Sequence, residues 1–185
     1  MSVHDGAEYA WPEAGQFSWP LTFGIWLSNW SYNSKSNHLK IKVLFAKLIK
    51  GSLDGERLVE RNFALNIRNA SKLQLDHMEA SNPNIDNIDA YFTDEDRELY
   101  VNGLGNMMPL PDSENREKSN SPLSNSFPHF ENAGIAPGHF LYDEALSCFE
   151  ENSININGNT VPNQSFFQQR KQRLIGLFEL AVNGI

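Results

Sequence analysis

Cysteine is almost absent: Cys148 stands alone in a chain of 185 residues. That excludes an intramolecular disulfide and any zinc site built on paired cysteines. No apolar run approaches the ~18 residues of a membrane span. Met1 to Gly15 has neither a basic start nor an apolar stretch, so no secretory signal is read there and the expected location is the cytoplasm. Positive charge is also scarce. Fifteen Lys and Arg face twenty-three Asp and Glu, a net charge of −8, which argues against a free-standing nucleic-acid binder that holds phosphates by bulk charge. A Gly-rich phosphate loop of the Walker type is missing as well.

What is present suits a folded domain. The apolar fraction of 40% and the charged fraction of 21% are those of a chain that buries a core. The length fits one domain, with room for a small helical annex. Charge is unevenly spread. Lys35 to Lys72 holds nine basic and three acidic residues, a net of +6, and the remainder carries −14. The basic segment lies just before the chemistry-bearing residues, although Lys and Arg on a helix more often form a solvated face.

Periodicity gives a coarse map. Trp11-Pro12 and Trp19-Pro20 break the N-terminal stretch. Trp26 and Trp30 share a helix face and read as a core or interface stripe. Asn37 opens a helix that runs to Lys50 and stops at Gly51. A second helix is expected over 55–69. Lys72 to His77 alternates polar and apolar residues, as a strand does. Residues 81–90 read as an Asn- and Asp-rich loop. Thr93 with Asp96 forms a capping box for a short helix through Tyr100. Gly103 and Gly105 make a tight turn, and Met107 to Leu110 a strand. A helix capped by Asp112 or Ser113 then carries Asn115 and Lys118. Residues 119–137 are expected as a long loop, 138–152 as a helix, 153–164 as a polar loop and 165–182 as a closing helix. Cys148 reads as a small buried hydrophobe.

Three short clusters carry the chemistry: Asp76-His77, Leu104-Gly105-Asn106 and Asn115-Arg116-Glu117-Lys118. They fall on a strand, a turn leading into a strand, and a helix. Phosphodiester hydrolysis needs an activated water and neutralisation of charge on the phosphorane and the leaving oxygen. A single hard divalent ion meets the last two needs. Asp76 offers a carboxylate and Asn115 an amide oxygen, two hard ligands that leave positions open for phosphate. His77 is a base of suitable pKa, worth ~10²–10⁴-fold in rate. Adjacent strand residues face opposite ways, so Asp76 and His77 serve one site only if the backbone bends at the strand end. Asn106 is expected to tie its turn to the His77 backbone and hold the imidazole. Lys118 shares a helix face with Asn115 and is expected on a phosphate. Arg116 and Arg170 are further candidate nucleic-acid contacts. Glu79 reads as a surface carboxylate, and His129 and His139 as surface or core residues. Each piece alone is common; their order on a β-β-α unit is not.

At these residues the chain resembles HNH (His-Me finger, ββα-metal) endonucleases. The pattern appears as Asp76-His77-Met78, Asn106-Met107-Met108-Pro109-Leu110 and Asn115-Arg116-Glu117-Lys118, a His-Asn-Asn variant also found in the HNH domain of RNA-guided CRISPR effectors. It is more similar still to the C-terminal nuclease domain of GmrSD-type modification-dependent restriction proteins, through Leu104-Gly105-Asn106-Met107, Ser121-Pro122-Leu123-Ser124-Asn125-Ser126-Phe127 and the closing helix Gln169-Arg170-Lys171-Gln172-Arg173-Leu174. Ala80 stands where that pattern commonly has Pro. The resemblance implies an α+β fold, with a ββα-metal motif embedded in a mostly helical domain. It places an HNH-type nuclease over 71–185; residues 1–70 carry no such resemblance and are expected, from their periodicity, as an N-terminal helical segment that packs on it. The resemblance implies a metal-dependent endonuclease acting on DNA in restriction or anti-phage defence, with catalytic His77, Asn106 and Asn115. One Mg²⁺ or Mn²⁺ would sit at Asp76 and Asn115. A nucleotide-hydrolysing sensor domain or partner subunit is a further implied partner, and a membrane is not. The alternative is a regulatory or nucleic-acid-binding module with the same fold and no turnover.

Overall fold

The structure, a computed structural model, describes residues 22–54, 57–60, 73–83, 85 and 92–183. The chain enters through α1 (Phe23–Ser28), a 3₁₀ turn at Lys35–Asn37 and α2 (His38–Lys50). In α2, Ile41, Leu44, Phe45, Leu48 and Ile49 recur at helical spacing and are all buried, so one stripe anchors the helix to the core. Asn37 occupies the N-cap, but its side chain makes no capping bond. The strands β1 (Gly51–Asp54) and β2 (Arg57–Glu60) follow as an antiparallel hairpin. This overturns the helix expected over 55–69 for its first residues; 61–70 lie outside the described residues, as does most of the expected 81–90 loop.

Next come β3 (Leu73–His77), a short α3 (Asp94–Asp96) that runs on as a π turn (Arg97–Val101), a 3₁₀ turn at Leu104–Asn106, β4 (Met107–Pro111) and α4 (Asp112–Lys118). The capping box at Thr93 and Asp96 is formed in full. Strands β3 and β4 pair antiparallel, with Asp76 opposite Met108 and His77 opposite Met107. The next element, α4, packs on both strands, which completes a β-β-α unit with residues 78–106 inserted between its strands.

The expected loop over 119–137 instead holds a 3₁₀ turn (Leu123–Asn125) and α5 (Phe127–Asn132). Pro128 sits in the first turn of α5, where a missing N–H costs nothing. After α6 (Phe140–Glu151), β5 (Ser153–Ile156) and β6 (Asn159–Pro162) form a hairpin where a polar loop was expected. Its turn is Asn157-Gly158, both at positive φ, 51° and 86°, the conformation a tight hairpin requires.

The closing helix α7 (Gln164–Asn183) packs against α1, α2, α6 and the 104–106 turn. Phe166, Phe167, Leu174, Phe178 and Ala181 form its buried stripe, and Phe178 meets Phe45 of α2 edge to face at 5.0 Å. The fold is α+β, mostly helical with small antiparallel ribbons. Among the described residues, no helix is long and apolar enough to cross a membrane.

Candidate active site

The end of β3 opens into a pocket of about 260 Å³ lined by Tyr32, Asp76, His77, Asn115, Lys118 and Asn120, among others. Asp76 and His77 thus reach one cavity although they are neighbours on a strand. His77 is the last residue of β3, and the pairing with β4 stops there.

Asp76 is 8% exposed. Its Oδ2 lies 3.0 Å from the Lys118 ammonium yet receives no aligned hydrogen bond. Burial pushes the carboxyl above the usual range, against the pull of Lys118 and the His77 backbone N–H. Lys118, itself 1% exposed, donates to the His77 carbonyl at 2.6 Å. One buried ammonium therefore neutralises Asp76 and fixes the backbone at His77, where a contact to phosphate was expected of Lys118.

His77 is half-buried. Its Nε2 lies 3.1 Å from Asn102 Oδ1, and its ring lies 4.4 Å from that of Tyr32. Burial lowers its pKa from the ordinary 6.5, opposed by the Asn102 bond and reinforced by Lys118 and His38. The imidazole is thereby held in its neutral, proton-accepting form near pH 7.

Asn106 is fully buried. Its Oδ1 accepts from the Glu79 N–H, and its Nδ2 donates to the carbonyls of Glu79 and Val101, all at 2.9 Å. Its own carbonyl accepts from the Met78 N–H at 2.7 Å. The brace expected on the His77 backbone thus grips Met78 and Glu79, just past it.

Several other expectations change. Arg170, expected on nucleic acid, is fully buried in the α7 stripe. It donates to the carbonyls of Gly105 and Met107, each at 2.8 Å, with Glu144 3.4 Å from its Nε. It holds the Asn106 turn from behind and cannot reach a backbone phosphate. Arg116 is exposed and paired with Asp112, which therefore supplies an i,i+4 partner rather than a cap. Glu79 is not on the surface: it is 2% exposed, accepts from the Leu123 N–H at 2.8 Å, and burial pushes its pKa up to about 7. Cys148 is buried. His139 is buried too, accepting from the Leu141 N–H at the start of α6.

Tyr32 and Asn102 escaped the sequence reading. The only clue was the Tyr100-Val101-Asn102 approach to the Gly103 turn, and nothing marked Tyr32. A second cluster was also unforeseen. Ligand atoms of Glu114, Glu117 and His129 lie within 4.8 Å of one another and could hold a metal ion, with His129 Nδ1 3.3 Å from Glu114.

Residues 26–177 match the family model of the C-terminal domain of GmrSD restriction endonucleases. No curated protein and no solved structure matches the chain.

Proposed function

Because the chain belongs to the family of GmrSD restriction endonuclease C-terminal domains, we propose that it is a metal-dependent endonuclease that nicks or cuts DNA, in restriction or anti-phage defence. The observation that carries this reading is the convergence of Asp76, His77, Asn115 and Lys118 on one pocket at the end of a β-β-α unit. The donor set fits a hard divalent ion. Asp76 is a buried carboxylate whose Oδ2 receives no aligned hydrogen bond, its neighbour being the Lys118 ammonium at 3.0 Å, and Asn115 adds an amide oxygen. Asp76 and Asn115 would hold one Mg²⁺ or Mn²⁺, which when bound supplies charge neutralisation on the scissile phosphate and its leaving oxygen.

The chain's own groups account for the rest. His77 accepts the proton of the attacking water, and its lowered pKa keeps it free to do so. Lys118 fixes the His77 carbonyl and balances Asp76. Asn106 holds the turn after His77, so its part is preorganisation. DNA is the proposed partner, with a nucleotide-hydrolysing sensor domain or subunit as a second.

One observation favours the alternative, a binding or regulatory module without turnover: the Lys118 ammonium already supplies a counter-charge to Asp76. The two readings separate in one experiment. Supercoiled plasmid and a labelled single-stranded RNA are incubated with the protein in Mg²⁺, Mn²⁺ or EDTA. Metal-dependent conversion of plasmid to open circle supports the endonuclease. Retention of plasmid with no cleavage, unchanged by EDTA, supports the module. Cleavage of RNA alone would sink the DNA assignment.

A further inference from the structure

A carboxylate in the N-terminal half of the 97–101 π turn reaches the candidate base through one amide. Glu98 Oε2 accepts from Asn102 Nδ2 at 2.9 Å. Asn102 Oδ1 then faces His77 Nε2 at 3.1 Å. The direction of this chain is fixed by hydrogen-bonding capacity. A carboxylate oxygen only accepts, so the NH₂ group of Asn102 must face Glu98. The amide oxygen must then face His77, and it too only accepts. The hydrogen between them therefore belongs to the imidazole, at Nε2. A neutral imidazole has one N–H. Its lone pair is left at Nδ1, which no group among the described residues engages.

We propose that Asn102, aimed by Glu98, is a positioning residue that sets the tautomer of His77 so that Nδ1 is the proton-accepting atom. This rests on the reading of His77 as the general base.

The surroundings look built for that task. Asn33 Nδ2 donates to both oxygens of Glu98, at 3.0 and 2.9 Å, so the carboxylate is anchored from the N-terminal segment as well. The Asn102 carbonyl accepts from the Tyr32 N–H at 2.7 Å, and Ser31 bridges Gly103 in β fashion. These bonds lock the backbone that carries the amide. The Tyr32 ring, 4.4 Å from that of His77, restrains the plane of the imidazole. The π turn closes with the Asn102 N–H on the Arg97 carbonyl at 3.0 Å. Residues 31–33 thus belong to the site through Glu98 and Asn102, far from the motifs that mark it in the sequence.

The tautomer is measurable without any turnover. In ¹⁵N-labelled full-length protein at pH 8, free of metal, long-range ¹H–¹⁵N correlation identifies which ring nitrogen of His77 carries hydrogen; His77→Ala assigns the signal. The expected result is hydrogen at Nε2 in the wild type and a mixture of tautomers in Asn102→Ala. The double variant Asn102→Asp with Glu98→Gln, which keeps an acceptor facing the ring and a donor facing residue 102, restores the Nε2–H form. Glu98→Gln, which no longer dictates the amide's direction, loosens it. Plasmid nicking is then compared under saturating Mg²⁺. Asn102→Ala is expected to lose about 10–100-fold in kcat, the usual cost of removing a group that orients a ligand or base, with KM unchanged. A wild-type His77 protonated at Nδ1, or a tautomer indifferent to Asn102→Ala in a folded variant, would overturn the proposal. Nicking that survives His77→Ala would overturn the base reading, and with it the catalytic part of this inference, while leaving the spectroscopic link between Asn102 and His77 in place.

Discussion

Glu79 shows how a residue's setting outweighs its type. A carboxylate beside an Asp-His pair reads as surface, yet its Oε1 is buried without a partner and its pKa rises to about 7. The ordinary value is 4.5, so between these limits the folded state binds more protons than the unfolded chain. Stability therefore falls as pH climbs through that window and is flat on either side. Glu79→Gln cannot ionise. It is expected to match the wild type in urea unfolding at pH 4 and to exceed it at pH 8, by about 3 kcal/mol at most on the scale of 1.4 per pKa unit. A difference independent of pH would contradict the burial argument. The same contrast governs what could be read at this scale. That Asp76, His77 and Asn115 share one pocket was legible from type and order, whereas Lys118, expected on a phosphate, is buried against Asp76 and the His77 carbonyl. The burial of Arg170 was not legible, because a helix stripe accepts one long cation when carbonyls lie behind it, and those carbonyls, of Gly105 and Met107, are remote in sequence.

At the level of elements, the 104–106 turn is set against α7 with no room to spare. A Cβ on Gly105 would stand 2.0 Å from the Phe167 carbonyl oxygen and 3.1 Å from the Lys171 nitrogen, both helix backbone. Gly105→Ala must push the turn away from α7, breaking the Arg170 bonds and displacing Asn106. Thermal unfolding is expected to show a clear loss, opposite in sign to the gain of up to about 1 kcal/mol that an unobstructed Gly→Ala change brings, whereas an unchanged melting temperature would contradict the close approach. Strands β3 and β4 and helices α2, α6 and α7 were legible because their apolar periods are strong and their ends are punctuated. The two hairpins were missed for a shared reason. Asn157-Gly158 is a hairpin-turn pair, but the strands of both hairpins are only four residues long, so composition favoured helix or loop. Helix α5 was hidden by Pro128, which ends a helix in its interior and suits one in its first turn.

Across the whole molecule, the site is assembled from both ends of the chain. Tyr32 and Asn33 come from the N-terminal segment, and α2 packs on β3, β4 and α7 within one continuous core. A fragment of residues 71–185 would expose the faces that cover Leu44, Phe45 and Leu48. It is expected to lack cooperative unfolding in circular dichroism; a sharp transition would show that the nuclease core stands without the segment. The acidic total charge bears on affinity rather than chemistry, since backbone affinity comes from Lys and Arg and the chain has fewer of these than of Asp and Glu. His77 is proposed to take the proton of the attacking water. The most direct measurement is single-turnover nicking of supercoiled plasmid by wild type and His77→Ala in Mg²⁺, with EDTA as control. A metal-dependent rate that falls about 10²–10⁴-fold in the variant is the expected result for a lost general base. A rate that survives His77→Ala would contradict it.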